Sequence, residues 1–65
     1  MKELSPQLKH DFINNSLRIE VLSKIICEDL NANKNPNPVQ LNDMEEFLLK
    51  EINLLKDIKD ITNSI

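Results

Sequence analysis

"NANKNPNPVQ", residues 31–40, is the stretch that decides the fold. Four asparagines and two prolines crowd into it. Asn side chains compete for the backbone's own hydrogen bonds, and each Pro drives its predecessor out of the α region. A helix cannot run through such a stretch. The chain on either side reads as helix over nearly equal lengths, so residues 31–37 form the bend of an antiparallel two-helix hairpin.

The two halves open in the same way. In "SPQLKHDFINNSLRIEVLSKIICEDL", Ser5 is the expected N-cap and Pro6 the first helical residue, where a missing N–H costs nothing. After the bend, Asn37 and Pro38 repeat that design, and Gln40 stands where an amide could close a capping box. Asn42 with Glu45 offers a second possible start one turn on. Helices are predicted near 6–30 and 38–61, giving an all-α, single-domain hairpin over residues 1–65.

Apolar spacing supports both helices and predicts their contact faces. At ~100° per residue, Leu8, Phe12, Ile19, Leu22, Ile26 and Leu30 fall in one narrow stripe of the first helix. Leu41, Met44, Leu48, Ile52, Leu55 and Ile58 do the same in the second, with Phe47 and Ile61 at the edge. These stripes are expected to face each other. The first helix carries a further row, Ile13, Leu17, Val21 and Ile25, on roughly the opposite side of the cylinder. A contiguous apolar row left in water marks an interface. Pairing of two hairpins into a homodimeric four-helix bundle, or docking of another protein, would cover it.

Composition removes several function classes. Sixty-five residues make one small domain, near the lower limit for a self-sufficient core. Apolar residues are 40% of the chain, nearly all Leu and Ile, with two Phe and neither Trp nor Tyr. Gly is absent, which excludes a P-loop, a dinucleotide fingerprint and a nucleotide-binding kinase domain. Eight Lys plus Arg against eleven Asp plus Glu give a net charge of −3, which argues against nucleic acid as the partner. Cys27 is the only cysteine, so no internal disulfide can form, and it is expected to pack as a small apolar residue. No apolar run reaches the roughly 20 residues of a membrane span, and the N-terminus lacks a signal-peptide core. A cytoplasmic location is the expectation.

One residue invites chemistry. His10 is the only histidine, with Asp11 beside it and Asn14 one turn further on. The helical wheel points His10 away from the Leu8/Phe12/Ile19 stripe and into solvent, with Asn14 and Ile13 on its own face and Leu17 and Val21 continuing that face. An exposed neutral imidazole at the end of an apolar strip is what phosphoryl transfer from a docked protein requires. Conventional catalysis fails on inventory. Cys27 lies ~25 Å along the helix from His10, and no second His or Cys stands at zinc or iron spacing.

"LKHDFIN", residues 8–14, resembles the phosphoacceptor box of the dimerisation and histidine-phosphotransfer (DHp-like) hairpins of bacterial two-component systems, in the His-Asp-x-x-Asn variant of sporulation-type phosphotransferases. The resemblance implies a homodimeric four-helix bundle in which His10 accepts the phosphoryl group, Asp11 assists and Asn14 aids dephosphorylation. It implies a response-regulator receiver domain as partner, docking over Ile13, Leu17 and Val21. It also implies Mg²⁺ held by that receiver's carboxylates, with no cofactor on this chain. Asn15 stands where many members place Pro, and Ser16 precedes the Leu that the pattern places one residue earlier. Without an ATP-binding domain the chain is not expected to be an autokinase. It would be a stand-alone phosphorelay module or part of a larger kinase. The competing reading is a non-catalytic helical hairpin that binds a kinase, a receiver or another partner. On that reading the Glu46–Lys50 pair and its neighbours on the second helix are merely a solvated face.

Overall fold

The structure is a computed structural model that describes residues 3–64. Two helices, α1 (Pro6–Asn31) and α2 (Pro38–Asn63), form an antiparallel hairpin. Each has 26 residues, ~39 Å at 1.5 Å per residue. The molecule is a rod of 50 × 16 × 15 Å with a radius of gyration of 15.0 Å. A compact chain of this length would measure about 11 Å.

Local chemistry explains the ends of both helices. Ser5 caps α1, its Oγ accepting from the Leu8 N–H at 3.0 Å, with Pro6 next in line. Asn37 caps α2, its Oδ1 accepting from the Val39 N–H at 2.8 Å. The second helix therefore starts at Pro38 and not at the Asn42 alternative. Gln40 turns half-buried into the seam between the helices, where the sequence had offered it as a capping amide. The end of α1 is a Schellman turn. The Lys34 N–H reaches the Asp29 carbonyl at 2.8 Å and the Asn33 N–H reaches Leu30 at 3.1 Å. Asn33 takes the left-handed conformation, φ 57°, that Gly would ordinarily supply.

The helices meet along alternating steps of four and three residues, the spacing of a coiled-coil seam. From α1 the inward positions are Leu8, Phe12, Asn15, Ile19, Leu22 and Ile26. From α2 they are Gln40, Met44, Phe47, Glu51, Leu54, Ile58 and Ile61. This corrects the expected face of α2. Leu41, Leu48, Ile52 and Leu55 are 43–50% exposed on the flank, one residue away from the seam. Phe47 and Ile61, expected at the edge, sit inside it. Leu30 is also exposed, and Ile25 is half-buried and does not extend the outer row of α1.

The reason lies at Asn15, the one buried side chain among the described residues, 3% exposed. Its Nδ2 donates to the Phe47 carbonyl at 2.9 Å and to Glu51 Oε1 at 3.2 Å, while Ser16 Oγ donates to Glu51 Oε2 at 2.7 Å. Had α2 rotated to present Ile52 there, the Asn15 amide would have been buried without that carboxylate, a penalty of about 1–3 kcal/mol. The polar pair selects the rotation. No apolar side chain among the described residues is fully buried.

Candidate functional site

His10 lies on α1 just over one turn from its start, exposed, on the side away from α2. Asn14, one turn later, brings its Nδ2 to 2.8 Å from His10 Nε2. The i, i+4 spacing stacks the two side chains on one face. With the Asn14 amide as donor, Nε2 is the acceptor nitrogen, and a neutral ring carries its proton on Nδ1. Asp11, half-buried, accepts from Gln7 Nε2 at 2.8 Å. That hydrogen bond turns the carboxylate along the helix towards Gln7, and Asn14 is the side chain hydrogen-bonded to the ring.

These residues border a recess of ≈ 250 Å³ lined by Gln7, His10, Asp11, Asn14, Asn15, Arg18 and Lys50. The lining adds Gln7, Asn15, Arg18 and Lys50 to the site residues read from the sequence. Arg18 sits two turns beyond His10, and its guanidinium carbon lies 5.6 Å from the centre of the Phe47 ring, a cation–π contact across the seam. Lys50 is supplied by α2, so the second helix contributes one side of the recess. Asn15 forms its floor. Arg18 had a signal in the sequence, since it follows His10 by eight residues on the same side of α1 as Asn14. Lys50 had none, because its place depends on how α2 is rotated.

No protein-family model, curated protein or solved structure matches this chain. Its own geometry therefore carries the functional reading.

Ile13, Leu17 and Val21 continue along α1 from His10 and are 58%, 53% and 59% exposed. The sequence-predicted histidine and its apolar row are thus side by side, on one rigid helix. A second cleft, ≈ 470 Å³, opens at the end remote from the bend and is lined by Leu8, Leu54 and Ile61 with Asp11, Asp57 and Asp60. Among the described residues no group of three or more His, Cys, Asp or Glu side chains is placed to hold a metal ion, and no helix is long and apolar enough to cross a membrane. Cys27 is exposed and not packed as an apolar residue, which corrects the expectation for it.

Proposed function

We propose that this hairpin is a histidine phosphotransfer module, exchanging a phosphoryl group between His10 and the aspartate of a receiver domain. The observation that carries the reading is the exposed His10 ring whose Nε2 is held by Asn14 at the rim of a recess that also holds Arg18 and Lys50. The receiver would dock on Ile13, Leu17 and Val21, which begin one turn from the ring. Asn14 then swings aside and frees the Nε2 lone pair. That lone pair attacks the phosphorus of the aspartyl phosphate, the N–P bond forms, and the acyl P–O bond breaks with its electron pair leaving on the aspartate carboxylate. The Nδ1 proton passes to solvent. Arg18 and Lys50 provide positive charge near the incoming phosphoryl oxygens, and chemistry of this type depends chiefly on positioning and charge. Mg²⁺ belongs to the receiver's carboxylates in this scheme.

A receiver domain charged with labelled acetyl phosphate should lose its label to the wild-type chain, as an acid-labile adduct, and keep it in the presence of His10→Gln. Transfer that persists in His10→Gln would end this reading.

The exposed apolar row favours a second reading, a non-catalytic module that binds a partner over Ile13, Leu17 and Val21. Here His10→Gln is silent, whereas Leu17→Asp or Val21→Asp abolishes partner binding.

A further inference from the structure

One side of the hairpin carries a continuous groove, because the cleft at the open end and the recess beside His10 share a wall. Gln7 and Asp11 line both. The groove follows α1 from Ser5 to Arg18 and α2 back from Ile61 to Lys50, a length of ~20 Å at 1.5 Å per residue. Its charge is sorted by position. The outer part, ≈ 470 Å³, has the half-buried apolar residues Leu8, Leu54 and Ile61 flanked by the carboxylates of Asp11, Asp57 and Asp60. Among the described residues no Lys or Arg lines it. The inner part, ≈ 250 Å³, is lined by the cations Arg18 and Lys50. Asn15, 3% exposed, lies beneath that inner part, and its Oδ1 is a buried acceptor with no donor.

We infer that this groove seats an amphipathic helix of another protein, lying parallel to α1, with Lys or Arg in its N-terminal half and Asp or Glu in its C-terminal half. Shape and charge both argue for that occupant. A groove of ~20 Å matches a helix of about 13 residues, and its open, shallow form suits a rod laid along it. A small molecule would leave most of its own surface in water there. Apolar side chains one turn apart on the occupant would cover Leu8, Leu54 and Ile61. Basic side chains beside them would meet Asp57 and Asp60, which are exposed at the rim. Acidic ones further along would meet Arg18 and Lys50. The order of charge also fixes the direction. A helix is positive at its N-terminus and negative at its C-terminus, so its dipole fits this groove with the N-terminus over the aspartates. The carboxylates at the open end repel nucleic acid and anionic lipid surfaces. The inference does not rest on phosphoryl transfer at His10.

The test titrates the nitrogen-15-labelled full chain with two synthetic peptides of about 13 residues, acetylated and amidated. Both carry Leu at i, i+3, i+4 and i+7. One has Lys in its first half and Glu in its second, and the other has the charges exchanged. The first should shift amides within residues 5–18 and 50–61, gain helix on binding, and bind about tenfold tighter than the second. That preference should shrink at high salt. Asp57→Lys combined with Asp60→Lys should reverse it. Both positions are exposed, and unchanged helical circular dichroism would show that the fold survives. Leu48→Asp, on the opposite flank of α2, should leave the preference as it is. Equal affinity for the two peptides, or no saturable shift at millimolar peptide, would overturn the inference. So would shifts centred on Ile13, Leu17 and Val21. Groove amides that move with the chain's own concentration, or with vesicles of anionic phospholipid, would give the groove to a second copy or to a membrane and would overturn it equally.

Discussion

Asn33 and Asn14 show how single asparagines act here by conformation and by hydrogen bonding. Asn33 occupies the left-handed region that closes the Schellman turn in a chain without glycine. Asn33→Gly should raise stability by about 0.5–1 kcal/mol, since the missing Cβ relieves the strain and part of the gain is offset in the unfolded chain. Asn33→Val should lower it by about 1–2 kcal/mol, because a β-branched residue is penalised in the same conformation. Urea denaturation of the two variants measures both. Asn14 acts through its hydrogen bond to His10 Nε2. Nitrogen-15 spectra of the neutral ring should show the Nδ1–H tautomer in the wild type, and Asn14→Ala should lose that bias. Equal tautomer populations in the two proteins would mean that Asn14 does not orient the ring.

The informative event for the helices is a polar cluster in an apolar seam. Asn15 donates two hydrogen bonds from Nδ2, while its Oδ1 is buried with no partner. Such a group costs about 1–3 kcal/mol. Asn15→Leu removes it and buries an apolar side chain, while Glu51 keeps the Ser16 hydroxyl and partial access to water. The variant should therefore be more stable by about 1–3 kcal/mol. What it should lose is selectivity, because a polar residue in a coiled-coil seam sets register at the expense of stability. We expect a higher urea midpoint together with broadened or doubled amide resonances along α2. A less stable variant with a single set of resonances would show that the Asn15–Glu51 contact is worth more than the burial that replaces it.

Across the whole rod, protection should be uneven. The polar cluster, Ile19 and Phe47 lie in its middle third, whereas an open cleft lies beside Leu8, Leu54 and Ile61 towards the end remote from the bend. Native-state hydrogen exchange should be slowest near residues 15–22 and 44–51 and fastest towards both termini. Uniform protection from end to end would contradict that gradient. By itself the sequence determined the two helices, their caps and the break at residues 31–37, because Ser5, Pro6, Asn37 and Pro38 act through backbone angles and hydrogen bonds within one turn. It also placed His10 and Asn14 on one exposed face, since four residues in a helix span just over a turn. Only the tertiary structure decided which of the two adjacent apolar rows of α2 meets α1, and with it the Asn15–Glu51–Ser16 cluster, the Arg18–Phe47 contact and the place of Lys50 in the lining of the recess that His10 borders. Rotating a helix about its own axis changes none of its internal hydrogen bonds, so that choice is made by side chains more than thirty residues apart.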